Sequence, residues 1–338
     1  MKIIIPMAGR GSRLRPQTLI TPKPLITVAG KTILEQLIND VVELVNGLVN
    51  EMVFIIGPSL IFDKKIVSQL KRIAHKYNSK AIICRQLKAL GTGHAVMCAK
   101  KHLKGKAFVI YPDTLVKFDK SFNEDSEAVI WTKKVKNPDI YGVVKLNSNK
   151  EIVDLVEHPK KFVSNLAVIG VYYFRKIELL KDKLNEASKS KKDNSKEFYI
   201  NQGILGLIKS GKKIDVGYVS QWLDCGNVPK AINANKIMLN SKMNDTDNLA
   251  SKKYQTENSK IIQPCQIGND VIIVNSTIGP HVSVGSKTKI VDSKISNSIV
   301  RYNCVIKNAD INNSMIGDNC VFDGLGKQIN IGDFSQIT

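Results

Sequence analysis

Short apolar runs alternate with helically periodic segments over the first two thirds of the chain. Runs of this length predict buried strands, and the periodic segments predict amphipathic helices. Because the two kinds of element alternate, we predict βαβ units around a mostly parallel, Rossmann-like sheet. The strands are expected over 2–5, 52–56, 81–84, 107–110, 128–132, 141–146, 168–174 and 216–218, and the helices over 33–45, 61–77 and 92–101.

The last part of the chain repeats an aliphatic residue at every sixth position, often with Gly directly after it. This period predicts a short left-handed parallel β-helix, whose stacked coils bury the aliphatic side chains. A β-sandwich, the alternative, would show a period of two. We expect three to four coils, which need support from the first domain or from another subunit. Three triplets have the six-residue spacing: Ile261, Ile267 and Ile273; Ile278, Val284 and Ile290; Ile299, Val305 and Ile311.

A polar stretch that is poor in large apolar residues separates the two patterns. We therefore predict an α/β domain over 1–240, a linker over 241–260 and the β-helix over 261–338. Another stretch of serines and lysines, over 187–196, predicts a surface loop.

The formal net charge of +20 would suit a polyanionic partner such as nucleic acid. The charge is mostly lysine spread along the whole chain, however, and aromatic residues are not interleaved with it. A phosphate-rich small substrate needs only a local excess of positive charge. We therefore expect no nucleic-acid partner.

Neither a membrane nor an oxidising compartment is indicated. No apolar run approaches the roughly 20 residues that a membrane helix needs. The first residues lack the small-residue cleavage site of a secretory signal. The six cysteines are scattered and form no CxxC pair. We therefore expect reduced thiols, a cytoplasmic location and no membrane partner.

A glycine-rich turn directly follows the first predicted strand. Gly9 and Gly11 let the backbone approach a triphosphate, and exposed N–H groups in such a turn bind anions. Arg13 and Lys23 add full positive charge. A turn that only joined a strand to a helix would not need these two cations, so this segment predicts phosphate binding.

Two other phosphate motifs fail at this place. A dinucleotide-binding fingerprint needs a third glycine where the chain has Leu14. Gly30, Lys31 and Thr32 resemble the end of a P-loop, but its first glycine would fall at Leu25. We therefore interpret Lys31 and Thr32 as the start of a helix.

Two further positions suit a nucleotide. Gln86 carries an amide that can pair with a base edge, and Gly91 and Thr92 follow five residues later, where a simple helix N-cap is the alternative. Asp113 comes directly after an apolar strand, and a carboxylate at that end faces the ligand crevice of an open α/β sheet. Asp113 could otherwise cap the next turn.

The run AGRGSRLRPQTLITPKPL, residues 8–25, resembles the signature of the sugar-nucleotide pyrophosphorylases. This sugar-1-phosphate nucleotidyltransferase family contains glucose-1-phosphate thymidylyltransferase, mannose-1-phosphate guanylyltransferase and the UTP-dependent uridylyltransferases. The resemblance covers nearly the full chain, because further motifs recur in the family's order. They are GTG at 91–93, where the family usually has GTA, YPD at 111–113, YGVV at 141–144, EHP at 157–159, GVY at 170–172, EFY at 197–199 and WLDCG at 222–226.

The resemblance implies a nucleotidyltransferase catalytic domain over 1–240 and a role for each matching residue. Arg13 and Lys23 would be catalytic, and Asp113 and Asp224 would jointly hold Mg²⁺. The nucleotide-binding set would be Ala8, Gly9, Gly11, Ser12, Gln86, Gly91 and Thr92. The set that binds the sugar phosphate would be Gly142, Glu157, His158 and Glu197. Taken alone, each glutamate would be interpreted as a solvated surface charge.

His158 departs from the family, which usually has a lysine there that contacts the phosphate of the sugar phosphate. A neutral histidine can donate one hydrogen bond but carries no permanent charge. Lys160 and Lys161 are the alternative phosphate contacts. The departure also motivates an alternative function, that of a non-catalytic regulatory subunit that binds nucleotide-sugars.

The base and the sugar stay open at this point. Gln86 suits a pyrimidine, so dTTP with glucose 1-phosphate is the first expectation, UTP the second, and GTP with mannose 1-phosphate the third. A β-helix of this period also occurs in acyltransferases, so a bifunctional acetyltransferase/uridylyltransferase is another alternative, with His281 as its candidate catalytic residue. In the family the β-helix suggests self-association, and we expect a homo-oligomer.

Overall fold

The computed structural model describes residues 1–47, 49–119, 122–189, 197–244 and 253–338. The chain divides into two units. One is formed by Met1–Gly9 and Leu37–Trp222, and the other by Arg10–Gln36 and Leu223–Thr338. A mixed α/β sheet lies in the first unit and a parallel β-helix in the second, so the predicted fold class is confirmed.

Twelve strands and six α-helices are described before residue 245. The strands are β1 (Lys2–Pro6), β2 (Thr27–Val28), β3 (Lys31–Thr32), β4 (Glu51–Ile56), β5 (Lys80–Arg85), β6 (Ala107–Ile110), β7 (Thr114–Phe118), β8 (Ala128–Lys134), β9 (Gly142–Leu146), β10 (Ile152–Glu157), β11 (Leu166–Phe174) and β12 (Ile214–Asp224). The helices are α1 (Ile33–Leu44), α2 (Lys64–Lys76), α3 (Thr92–Cys98), α4 (Ile177–Lys189), α5 (Ile200–Lys209) and α6 (Val228–Asn244). Single 3-10 turns lie at Ser12–Leu14, Lys23–Leu25 and Pro138–Ile140.

Ten of the described strands form one mixed sheet, in the order β5-β4-β1-β6-β11-β8-β12-β7, with β9 beside β11 and β10 beside β9. β5, β4, β1 and β6 run parallel to their neighbours in this group. β11 is antiparallel to both β6 and β8. The carboxyl ends of the four parallel strands therefore meet at one edge, which is where open α/β sheets bind ligands.

The centre of this sheet is buried on both faces. Ile3, Ile4 and Ile5 of β1 have no exposed surface. Their uninterrupted apolar run is typical of a parallel strand that helices cover on both sides. The core continues from the sheet into α3, α4 and α5.

All three predicted helices have limits that differ from the prediction, and α1, which ends at Leu44 rather than at 45, differs least. α2 begins at Lys64 rather than at 61, because the extended residue Asp63 caps it, its Oδ1 accepting from Ile66 N at 2.8 Å. An aspartate in this role marks the first turn. α3 ends at Cys98 rather than at 101, since Ala99 has left helical geometry.

In the second unit, the segment 10–36 packs with α6 and the β-helix. Asn235 of α6 is fully buried, and its Oδ1 accepts from Ala29 N at 2.9 Å and from Ser283 Oγ at 2.6 Å. Gly30 has a φ of +82°, and a Cβ there would lie 2.6 Å from Gln266 Cδ. The segment 10–36 is therefore packed into the interior of the second unit.

The β-helix consists of three parallel sheets with six, four and five described strands, which is more coils than the predicted three to four. Ile273 pairs with Ile290, and Ile290 pairs with Ile306, so a coil is one or two residues shorter than three full six-residue repeats. The strands are Gln255–Glu257, Ile272–Val274, Lys289–Val291, Val305–Lys307, Val321–Asp323 and Gln336–Ile337; Lys260–Ile261, Thr277–Ile278, Lys294–Ser296 and Asp310–Asn312; Cys265–Ile267, Val282–Val284, Ile299–Val300, Met315–Ile316 and Asn330–Ile331.

The linker predicted over 241–260 stays a prediction, as do the domain limits beside it. Residues 241–244 belong to the end of α6, Gln255–Glu257 is already a strand, and 245–252 lie outside the described residues. Most of the surface loop predicted over 187–196 lies outside them too. None of the helices in the described ranges combines the length and the apolar character that crossing a membrane requires.

Candidate functional site

Four of the predicted site residues lie at one edge of the sheet in the first unit. Ala8 and Gly9 follow β1, Gln86 follows β5, and Asp113 comes three residues after β6. Because these three strands run parallel, the residues share the edge where their carboxyl ends meet. Gly9 and Asp113 are exposed there, whereas Gln86 is only 9% exposed.

The side chain of Gln86 is held by the turn that begins α3. Its Nε2 donates to Gly91 O at 3.0 Å and lies 3.0 Å from His94 Nδ1. Burial lowers the pKa of His94, which favours the neutral ring that this contact needs. With Nε2 engaged in this way, the amide oxygen is the atom of Gln86 suited to a ligand, and it is an acceptor.

Gly91 and Gly93 fit against the backbone and ring of Phe198. Gly91 has a φ of +91°, and a Cβ there would lie 2.3 Å from Phe198 O. A Cβ on Gly93 would lie 2.6 Å from Phe198 Cδ2. The ring therefore occupies the space that an alanine side chain at position 93 would need. Thr92 Oγ1 accepts from Ile200 N at 3.1 Å, so this turn is tied to the start of α5.

Asp113 stands at the end of a tight turn, beside the half-buried Tyr111 and the buried Tyr172. Its backbone N donates to Tyr111 O, and Tyr111 N donates to Gly170 O, both at 2.9 Å. Burial raises the pKa of Tyr172, and the charges of Tyr111, Glu157 and Asp113 raise it further. The carboxylates of Asp113 and Glu157 thus act on the same buried phenol, and both belong to one region of the first unit.

Glu157 and Gly142 face each other across the β9–β10 pair. A Cβ on Gly142 would lie 3.0 Å from both carboxylate oxygens of Glu157, so only glycine leaves this carboxylate in place. Asn201 Nδ2 donates to Glu157 Oε1, and Asn201 is buried. The sequence analysis missed Asn201, because an asparagine in the first turn of a helix carries no signal for a partner on a distant strand.

The remaining predicted sugar contacts, His158 and Glu197, are both at exposed positions. His158 is exposed, has a φ of +45°, and donates from its backbone N to Tyr141 O at 3.1 Å. Glu197 Oε2 accepts from Tyr199 Oη at 2.9 Å. The Tyr141 ring packs edge-on against Trp222, whose Nε1 is buried without an acceptor among the described residues. Trp222 therefore has a donor that a ligand could satisfy.

From Arg10 onward, the glycine-rich turn belongs to the second unit. Gly11 adopts a left-handed conformation with a φ of 61° and accepts at its O from Thr18 Oγ1 at 2.7 Å. A Cβ on Gly11 would lie 2.9 Å from Lys23 Cβ, so the lysine stem runs directly over the turn. Ser12 and Arg13 are exposed, while Lys23 is only 9% exposed. The turn and Lys23 thus form one compact group.

Asp224 also belongs to the second unit and already has two partners. Lys230 Nζ lies 2.6 Å from its Oδ2, and Gly226 N donates to its Oδ1 at 2.6 Å. No group of three or more acidic, histidine or cysteine residues in the described ranges could hold a metal. Carboxylate oxygens suit Mg²⁺, which usually takes one or two of them and keeps its remaining ligands as water. The pairing of Asp113 with Asp224 stays a prediction.

His281, the candidate for acyl transfer, is involved in contacts with α6. Its Nε2 lies 2.9 Å from Asn240 Oδ1, and its backbone O accepts from Asn235 Nδ2 at 3.2 Å. These contacts give the side chain a structural role at the corner of a coil.

The family model and the named relatives indicate the same family of enzymes. Residues 2–241 match the family model described as nucleotidyl transferase. The chain is 29% identical to the bifunctional protein GlmU of Methanococcus aeolicus, over 95% of this chain and 78% of that protein. It is 26% identical to a glucose-1-phosphate thymidylyltransferase of Streptomyces griseus, over 89% of this chain and 87% of that protein. A solved apo-UDP-glucose pyrophosphorylase shares the fold, with a TM-score of 0.58 at 21% identity, over 71% of this chain and 98% of that one.

Proposed function

Since the chain belongs to the nucleotidyl transferase family, we propose that it joins dTTP or UTP to glucose 1-phosphate, giving a nucleotide-sugar and pyrophosphate. The broader class, a sugar-1-phosphate nucleotidyltransferase, follows from the family and from the names of the relatives. The thymidylyltransferase of Streptomyces griseus, which the chain matches over most of its length, supports the choice of base and sugar.

The observation that carries the choice of base is the geometry of Gln86. Its Nε2 is used within the protein by Gly91 O and by the His94 ring, which leaves an acceptor oxygen for the base. Thymine and uracil present an N–H donor between two carbonyl groups, and an amide oxygen can accept from it.

The proposed reaction is an in-line displacement at the α-phosphorus. A phosphate oxygen of glucose 1-phosphate forms the new P–O bond, and the bond to the β-phosphate oxygen breaks as pyrophosphate leaves. No protein nucleophile is needed, because the sugar phosphate is already an anion. Arg13 and Lys23 oppose the negative charge that the transition state carries, so positioning and charge neutralisation provide the catalysis.

Asp113 and Asp224 are the residues that would hold Mg²⁺, because each offers a carboxylate and Mg²⁺ prefers oxygen ligands. A bound Mg²⁺ would add positive charge beside the phosphates. Lys230 would have to release one oxygen of Asp224, to which it is now paired at 2.6 Å. Glu157, held by Asn201, would accept hydrogen bonds from the sugar hydroxyls.

Pyrophosphate release tests the proposal. Purified protein with Mg²⁺ is given each of dTTP, UTP, GTP, CTP and ATP with each of the 1-phosphates of glucose, N-acetylglucosamine, mannose and galactose. We expect the fastest release with dTTP or UTP and glucose 1-phosphate. If folded protein that binds nucleotide released no pyrophosphate with any of these substrate pairs, the proposed enzymatic function would be overturned. A non-catalytic subunit would then be favoured.

The substitution His158→Lys should improve binding of the sugar phosphate. A lysine there supplies the permanent charge that the family usually has, and because the position is exposed the gain is about 1 kcal/mol or less. We expect the KM for the sugar 1-phosphate to fall up to about fivefold, with kcat little changed. The neutral variant His158→Gln is the matched control. Equal KM values for the lysine variant and the wild type would show that position 158 does not face the phosphate.

A further inference from the structure

A buried ion cluster lies in the last coils of the β-helix. The Arg301 side chain is 4% exposed and pairs through Nη1 with Asp333 at 3.0 Å and through Nη2 with Asp318 at 2.5 Å. Asp333 is still more deeply buried. Burying such charges is costly, and an apolar cluster of the same volume is often as stable or more so. Stability alone therefore does not account for this cluster, and its remaining contacts become informative.

Two further contacts of the cluster go to the segment 10–36. Thr21 Oγ1 donates to Asp333 Oδ2 at 2.7 Å and accepts from Arg301 Nη2 at 3.2 Å. One hydroxyl thus contacts both Arg301 and Asp333, the cation and one of the two anions of the cluster. Hydrogen bonds to charged partners are roughly twice as strong as those between neutral groups. We call these four residues, Thr21, Arg301, Asp318 and Asp333, the Arg301 clamp.

Gln17 provides a second attachment four residues earlier. It has no exposed surface, and its Nε2 donates to Met315 O at 2.9 Å and to Ile331 O at 2.8 Å. Between the two attachments, Leu19 is 62% exposed and Ile20 54% exposed. Packing does little to hold these two residues, so the attachments at both ends determine where this part of the chain lies.

The path from Thr21 to the predicted catalytic lysine is short and stiff. Pro22 and Pro24 flank Lys23, and each proline ring fixes its own φ. Lys23 in turn lies over Gly11, where a Cβ would be 2.9 Å from Lys23 Cβ. A displacement of Thr21 is therefore passed on to Lys23 and to the glycine-rich turn.

We propose that the β-helix supports nucleotide binding and catalysis through the Arg301 clamp. Thr21 is the positioning residue, and it keeps Lys23 and the glycine-rich turn in their catalytic arrangement. This inference rests on the proposed function. It assigns the solenoid a role within its own chain, in addition to the predicted self-association.

A matched pair of variants tests the clamp. Thr21→Val keeps the shape and loses both hydrogen bonds, whereas Thr21→Ser keeps the hydroxyl. We expect Thr21→Val to lower kcat roughly tenfold and to raise the KM for the nucleotide, since two charge-assisted hydrogen bonds are lost. Thr21→Ser should stay within about twofold of the wild type, and the KM for the sugar 1-phosphate should change in neither.

A third variant separates positioning from stability. Ile306→Val removes one methyl group from the fully buried core of the β-helix, which lowers the thermal unfolding temperature without touching the clamp. We expect its kcat to equal that of the wild type well below the unfolding temperature. Amide hydrogen exchange over residues 10–24 gives a readout that needs no activity, and it should be faster in Thr21→Val alone.

The results decide the two proposals separately. Wild-type kcat in Thr21→Val would overturn the clamp. A loss of kcat in Thr21→Ser or in Ile306→Val as large as that in Thr21→Val would also overturn it. If the wild type itself released no pyrophosphate, the proposed function would fail. In that case faster exchange in Thr21→Val alone would still support the clamp, and equal exchange in the valine and serine variants would overturn it.

Discussion

Lys23→Met should lower kcat by about 10²–10³, because the transition state loses a positioned positive charge. Lys23 is only 9% exposed, and its stem lies directly over Gly11. Methionine has a similar length and shape, so the stem can still fill the space above the turn. The loss should therefore appear in pyrophosphate release, with the thermal unfolding temperature close to that of the wild type.

Lys31→Met is the matched control for Lys23→Met. It removes the same charge from the same segment, at an exposed position in the short strand β3. The sequence around Lys31 resembles the end of a P-loop, whereas that around Lys23 resembles the family signature. We expect Lys31→Met to keep wild-type kcat. A large loss in Lys31→Met with little loss in Lys23→Met would exchange the roles of the two lysines.

The position of the sheet-edge residues could be predicted because it depends on the apolar runs that form the strands before them. The limits of β6 agree with the predicted ones, and β1, β4 and β5 extend the predicted strands by only one or two residues. Residues that follow parallel strands must share an edge, so the common location of Gln86 and Asp113 follows from the strands. The β-helix was similarly readable from its aliphatic period.

The contacts that hold the site residues could not be predicted in this way. Thr21 meets Asp333 across most of the chain, and no periodicity links the two. Asn201 reaches Glu157 from a different element, and the pairing of Asp224 with Lys230 depends on how the chain turns after β12. Such hydrogen bonds are fixed by tertiary packing, which neither spacing nor composition encodes.

Asp113→Asn is the second change for which we expect a loss of about 10²–10³ in kcat. The amide has the shape of the carboxylate, and the backbone contact of Asp113 N with Tyr111 O at 2.9 Å does not involve the side chain. The turn after β6 should therefore keep its conformation while the charge is lost. Mg²⁺ binds a neutral amide oxygen less strongly than a carboxylate, so activity should need a higher Mg²⁺ concentration.

Asp125→Asn serves as the control for Asp113→Asn, because it makes the same change of charge in the same unit. Asp125 is exposed, and its ion pair with Arg175 is long, at 4.0 Å. A surface pair of this kind contributes little, so kcat and its dependence on Mg²⁺ should match the wild type. If Asp113→Asn kept wild-type turnover over a Mg²⁺ titration, the carboxylate at the end of β6 would have no part in holding the metal. Asp224, despite its pairing with Lys230, would then be the remaining candidate.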